Sequence, residues 1–135
     1  MNLRAKCGFT LIELMIVVII IAALASMVAP RLIERSDEAK GKIALGDISS
    51  IGTALKLYRL DTNSYPTSDQ GLKALMTQPS GVSNWKGPYL EQDPVDPWGN
   101  PYQYKCPGLH NTGGFDLFST GRDGVESADD VINWK

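Results

Sequence analysis

Over residues 9–29 the chain is apolar at every position except Thr10, Glu13 and Ser26. A helix of ~20 such residues spans the ~30 Å hydrocarbon core of a bilayer, so the run predicts a membrane-spanning helix. Pro30 follows directly, and beyond it the pattern turns amphipathic. Ala44, Ile48, Ile51, Leu55 and Tyr58 are spaced 4, 3, 4 and 3 apart, which sets them on one helical face. Glu34, Arg35, Asp37, Glu38, Lys40, Lys42, Lys56 and Arg59 supply the wet faces. Residues 9–60 therefore read as one long helix, bent near Pro30, with a first half apolar all round and a second half carrying one sticky face. Gly41, Gly46 and Gly52 weaken such a helix by ~1 kcal/mol each relative to alanine, which fits close packing or flexing there.

Turn formers and a proline, Asp61-Thr62-Asn63-Ser64-Tyr65-Pro66-Thr67, end the helix. Ser68 is placed to cap a short helix over 69–77, with Leu72, Leu75 and Met76 on its buried side. Gln78-Pro79-Ser80-Gly81 stops it. From Tyr65 onward the chain is loop-rich, holding seven of the eight prolines and nine of the thirteen glycines. Between these breakers the pattern predicts two short strands, 102–106 and 115–119, joined by the glycine-rich loop 107–114. The expected fold class is α+β: a long amino-terminal helix packed on a small antiparallel sheet, with a loop-rich carboxy-terminal region.

At 135 residues there is room for one small domain beyond the apolar helix. The organisation expected is a leader at 1–8, a transmembrane and assembly helix at 9–30, and a carboxy-terminal domain at 31–135. Net charge is −2, and −4 without Arg4 and Lys6 of the leader. The basic residues are scattered, with no stripe or aromatic interleaving, which argues against nucleic acid. The two cysteines, Cys7 and Cys106, lie on opposite sides of the apolar run. A chain trimmed before Phe9 keeps only Cys106 and can form no internal disulfide, so a small exported domain would need another staple.

Catalytic chemistry finds little support. His110 is the single histidine, and with Cys106 it would furnish two ligands where a structural zinc takes four. Gly121-Arg122-Asp123-Gly124 lacks the lysine and spacing of a phosphate-binding loop. No enzyme is expected. The tail is richer: Asp123, Glu126, Asp129 and Asp130 fall within eight residues beside glycines. Hard oxygen donors on a flexible loop suit Ca²⁺, although the spacing is not that of an EF-hand, and an exposed acidic turn has the same composition. The missing disulfide favours a metal staple.

Glu13 is the anomaly of the apolar run. An ionisable residue inside a spanning segment is functional by default and needs a partner, and the run contains no Lys or Arg. The positive leader could belong to an ordinary secretory signal, cleaved after Ala23-Leu24-Ala25. A cut between Gly8 and Phe9 would instead create a positive amino terminus four residues from Glu13. In a parallel, axially shifted neighbour that charge could reach Glu13, which would make the pair a self-assembly device.

Gly8-Phe9-Thr10-Leu11-Ile12-Glu13 resembles the processing site of type IV pilins and pseudopilins. There a prepilin peptidase cuts after the glycine and methylates the new amino terminus, here Phe9. Pro30 fits the same family. Leu60-Asp61-Thr62-Asn63-Ser64-Tyr65-Pro66-Thr67, Gln70-Gly71-Leu72, Asp96-Pro97-Trp98-Gly99-Asn100-Pro101-Tyr102 and Phe115-Asp116-Leu117-Phe118-Ser119 resemble the major pseudopilins of type II secretion, nearly end to end. Cys7 departs from the Lys or Arg usual before the cleaved glycine. The resemblance implies a type IV pilin-like fold and a structural subunit held in the bacterial inner membrane, its carboxy-terminal domain in the periplasm. It further implies polymerisation with itself into a periplasmic pseudopilus that drives export of folded proteins. Minor pseudopilins, the prepilin peptidase and an inner-membrane assembly platform would be its partners. Calcium would be bound by the side chains of Asp123, Asp129 and Asp130, with Thr120, Val125 and Ser127 contributing mainly carbonyls. The alternatives are a type IV pilin or minor pilin-like subunit, or a calcium-binding module behind an ordinary signal sequence.

Overall fold

The computed structural model describes residues 8–134. Residues 1–7, Cys7 among them, lie outside the described residues, as does Lys135. The chain divides into two units between Ser36 and Asp37.

Helix α1 covers Leu11–Thr62, with Pro30 inside it. In the first unit its side chains are exposed throughout, from Leu11 to Ser36. The helix is long and apolar enough to cross a membrane, and none of its most apolar stretch is buried. The helical bonding satisfies the backbone internally, as a bilayer demands. Ser26 follows suit, donating its hydroxyl to the Ala23 carbonyl at 2.7 Å.

The second unit is built on the amphipathic face. Ala44, Ile48, Ile51, Leu55 and Tyr58 are all buried, together with Ala54. Against them pack Leu72, Ala74, Leu75, Tyr102, Phe115 and Leu117. Tyr65 stands edge-on to Phe115 with ring centroids 5.0 Å apart, and Tyr58 edge-on to Tyr89 at 5.7 Å. Three hydroxyls at the edge of this core find acceptors. Tyr102 donates to Asp47 at 2.8 Å, Tyr89 to Asp61 at 2.7 Å and Tyr104 to the Pro66 carbonyl at 2.7 Å. Burial pushes all three phenols above their ordinary range.

Three short strands form an antiparallel sheet in the order β1 (Gln103–Lys105), β2 (Asp116–Ser119), β3 (Val131–Ile132). Tyr104 faces Leu117 across β1–β2, and Phe118 faces Ile132 across β2–β3. Alternation along β2 turns Leu117 into the core and sends Asp116 and Phe118 to the opposite face. That face is covered: Trp134 stands edge-on to Phe118 at 5.6 Å and stacks on His110 at 4.1 Å.

The two predicted strands exist but are shorter, and β3 was not predicted. The helix expected over 69–77 is corrected to a 3₁₀ turn at Leu72–Leu75. Thr67, not Ser68, starts the separate turn at 68–71 that precedes it. Its hydroxyl accepts from the Gln70 N–H at 3.3 Å while the Gln70 side chain accepts from the Thr67 N–H at 2.9 Å, a reciprocal capping pair. Gly71 at φ 58° then breaks the helical path before an α-helix can grow. The Ser68 hydroxyl instead clasps Cys106, accepting from its N–H at 2.9 Å and donating to its carbonyl at 3.0 Å.

Candidate functional site

The expected site residues fall into two groups, one at each end of the chain. At the amino-terminal end, Gly8 and Phe9 are exposed and precede α1. The Thr10 hydroxyl accepts from the Glu13 N–H at 3.3 Å. Thr10 thus caps the helix with one half of a capping box, and Glu13 falls in the first turn, at the positive end of the helix dipole. The four ion pairs among the described residues all involve other acids.

At the other end, residues 120–130 leave β2 and return to β3. Thr120 is buried at the exit of β2, while Asp123, Val125 and Ser127 are exposed. Gly121 at φ 65° and Gly124 at φ 69° make the two sharp reversals. Asp123 accepts from the Val125 N–H at 3.1 Å. The Ser127 N–H donates to Asp130 Oδ2 at 3.1 Å, and its hydroxyl donates to Asp129 Oδ1. The structure therefore joins Ser127, Asp129 and Asp130 into one hydrogen-bonded knot and leaves Asp123 in a separate turn. Asp130 Oδ1 is buried and without a partner. Burial pushes the Asp130 carboxyl above its ordinary range, and the charges of Asp129, Asp123 and Glu126 push the same way against the Ser127 bond.

These oxygen donors are of the kind a divalent cation would take. An orphaned carboxylate oxygen among like charges costs free energy that an oxygen-seeking cation would recover. Among the described residues no three His, Cys, Asp or Glu side chains stand together as a metal-binding group. Loop carbonyls would therefore have to complete the shell, as expected of Thr120, Val125 and Ser127.

The loop is fastened by residues that sequence reasoning passed over. Asp96 is buried and accepts from the N–H groups of Trp98 at 3.1 Å and Asn100 at 2.8 Å, and from the Ser119 hydroxyl at 2.5 Å. Ser119 Oγ accepts in turn from the Gly121 N–H at 3.1 Å, and the Asn100 side chain donates to the Gly121 carbonyl at 2.9 Å. On α1, Asp37 accepts from Trp98 Nε1 at 3.2 Å and from Arg122 at 3.2 Å. The available signal was Asp-Pro-Trp-Gly-Asn, in which an aspartate before Pro-x-Gly marks a turn closed by its own carboxylate.

A second anchor holds the loop between β1 and β2. Asp116 accepts from three successive backbone N–H groups, Leu109 at 2.7 Å, His110 at 2.9 Å and Asn111 at 2.9 Å, and contacts His110 Nδ1 at 3.1 Å. Burial alone would raise this carboxyl, but those bonds outweigh it and hold Asp116 below the ordinary carboxylate range. His110 is thus engaged with Asp116 and Trp134, while the Cys106 thiol lies 3.5 Å from the Gly114 carbonyl. The structure does not bring these two residues together as a pair.

Residues 31–134 match the family model described as type II secretion system (T2SS), protein G, and residues 3–29 match the prokaryotic N-terminal methylation motif. Among curated relatives, the type II secretion system core protein G of Pseudomonas aeruginosa is 49% identical, over 99% of this chain and 99% of its own length. That of Vibrio cholerae is 43% identical, over 98% of this chain and 94% of its own. Among solved structures, the major pseudopilin from the type 2 secretion system of enterohaemorrhagic Escherichia coli superposes with a TM-score of 0.70 at 38% identity, over 76% of this chain and 89% of that one.

Proposed function

This chain belongs to the type II secretion system protein G family, the major pseudopilins, and we propose that it acts as a filament subunit rather than as an enzyme. It waits as a single-pass protein of the bacterial inner membrane with residues 31–135 in the periplasm. A prepilin peptidase cuts between Gly8 and Phe9 and methylates Phe9. The mature subunit then polymerises on an inner-membrane assembly platform, with minor pseudopilins, into a periplasmic pseudopilus that drives export of folded proteins.

The observation that carries this reading is the apolar half of α1, exposed along its whole length with one acid in its first turn. In the membrane, lipid covers that surface; in a filament, the same surface of neighbouring subunits would. Glu13 then gains as partner the amino terminus of an adjacent copy. In a low dielectric such pairing outweighs leaving the acid alone by several kcal/mol, of the order of the ~3–5 kcal/mol seen when one member of a buried pair is removed.

Calcium belongs to the same proposal. Asp123, Asp129 and Asp130 would bind it by side chain, with Thr120, Val125 and Ser127 completing the shell, and the ion would act as the staple that a disulfide provides elsewhere. The unpartnered Asp130 oxygen supports this.

Intact mass of the mature chain tests the processing step. A start at Phe9 carrying one added methyl is expected, whereas a start at Ser26 refutes assembly. Glu13→Ala should remain membrane-inserted yet fail to polymerise; normal filaments from that variant would remove Glu13 from the account.

A further inference from the structure

The cation loop has two supports. Its last residue, Asp130, runs into β3, which the sheet fixes. Its first limb leaves β2 at Ser119, and there three side-chain grips converge on adjacent residues, the first being Ser119 Oγ, which accepts from the Gly121 N–H at 3.1 Å. The Asn100 amide takes the Gly121 carbonyl at 2.9 Å. Asp37 takes Arg122 with one carboxylate oxygen and Trp98 Nε1 with the other, each at 3.2 Å. Asp37 lies 61 residues from Trp98 and 85 from Arg122, so a single side chain of α1 ties together two loops remote in sequence. Between these supports, residues 123–129 are held by bonds within the loop itself, Asp123 to Val125 and Ser127 to Asp129 and Asp130.

We propose that Asp37, acting through Trp98 and Arg122, is a positioning residue for the cation: it preorganises the limb that carries Asp123 and so sets the affinity of the loop without being a ligand. This rests on the calcium reading above. The physical ground is that a ligand-bearing segment already ordered before binding loses less conformational freedom when the ion arrives. Outer residues that orient metal ligands typically change affinity by ~10–100-fold when removed. The Arg122 half of the clasp is largely exposed and therefore screened, so the lower end applies, about 10-fold.

Asp37 also carries a charge, and losing a negative charge near a cation weakens binding by itself. Trp98→Phe separates the two effects, because it keeps an aromatic ring, deletes the Nε1 donor and alters no charge. The test uses the full chain in detergent micelles, with Ca²⁺ titrated calorimetrically and amide exchange followed in the metal-free protein. Asp37→Ala and Trp98→Phe should each weaken Ca²⁺ binding, about 10-fold for Asp37→Ala. Each should also speed exchange at residues 122–127 while leaving 115–119 unchanged. Ca²⁺ affinity equal to that of the unaltered protein in Trp98→Phe, or unchanged exchange in both variants, overturns the proposal and leaves the calcium reading intact. If the unaltered protein binds no Ca²⁺, the calcium reading fails and takes the affinity role of Asp37 with it, and the exchange data then report only whether Asp37 orders the limb.

Discussion

Asp116→Ala would strand three backbone donors at once. The N–H groups of Leu109, His110 and Asn111 point at its two carboxylate oxygens from 2.7, 2.9 and 2.9 Å, and among the described residues they have no second acceptor. A buried donor left unmet costs ~1–3 kcal/mol, and because this loop is half open to water the lower figure applies, giving about 3 kcal/mol for the three. For a unit of 60–100 residues each kcal/mol moves the midpoint by ~4–8 °C, so the expected fall is roughly 12–24 °C. Near-ultraviolet circular dichroism of the full chain in detergent would follow it, since Trp134 and Phe118 pack beside the anchored loop. Asp116→Asn keeps one acceptor oxygen and should lose about half as much. The pH dependence carries a sign. A carboxyl held below its unfolded value contributes stability that is complete above the ordinary carboxylate range and is lost as pH falls through the depressed value. The gap between unaltered protein and Asp116→Ala should therefore be widest near neutrality and close in strong acid. An alanine variant within 1 kcal/mol of the unaltered protein, or a gap that stays constant into strong acid, would refute the reasoning.

Asp130→Asn should behave in opposite ways with and without metal. The folded carboxyl is raised by burial and neighbouring acids, so its ionisation weighs against the metal-free fold at neutral pH and is relieved as pH falls. The amide removes that charge but keeps a carbonyl oxygen: the metal-free midpoint should rise slightly, and the stabilisation by Ca²⁺, about 2.7 kcal/mol at a hundred times Kd in the unaltered protein, should shrink at the same Ca²⁺ concentration. A full Ca²⁺ response in this variant would show that binding does not need the Asp130 charge. At Gly108 an added Cβ would collide with the Asp116 carboxylate and lie 2.7 Å from the Asn111 carbonyl. Gly108→Ala should accordingly reproduce part of the Asp116 defect, and a melting curve like that of the unaltered protein would show that the loop yields at no cost.

What could be read from the sequence follows the range of the interaction. The buried face of α1 was legible residue by residue, because a helix repeats its signal over many turns and burial enforces the period. The strand β3 was not, since two residues carry no alternation and Val131-Ile132 becomes a strand only through pairing with Phe118 and Ser119. Ser68 was misread for a related reason. Its hydroxyl had two possible uses, and the contact with Cys106, 38 residues away, is invisible locally. The acidic loop 120–130 stood out by its acids and glycines. Its fasteners did not: Asp37 looked like one more solvated charge on a helix, and only the fold brings Trp98 and Arg122 to it.

Glu13 invites the same caution, because two demands meet on it. As the fourth residue of Thr10-Leu11-Ile12-Glu13 it suits the start of a helix, and the dipole there favours an acid. That explains why the helix tolerates Glu13 without making it an assembly residue. The helix terminus supplies the equivalent of about half a positive charge, which leaves a net negative centre once water is excluded. Glutamine separates the two roles, since a capping box accepts Glu or Gln alike at this position. If Glu13 only starts the helix, Glu13→Gln should assemble normally while Glu13→Ala falters. If it pairs with a neighbour's positive amino terminus, glutamine should fail as completely as alanine, with both variants still inserted and still cut after Gly8. Counting filaments by electron microscopy beside the mass of the processed chain distinguishes these outcomes. Filaments from Glu13→Gln at the abundance of the unaltered protein would return Glu13 to a purely local role.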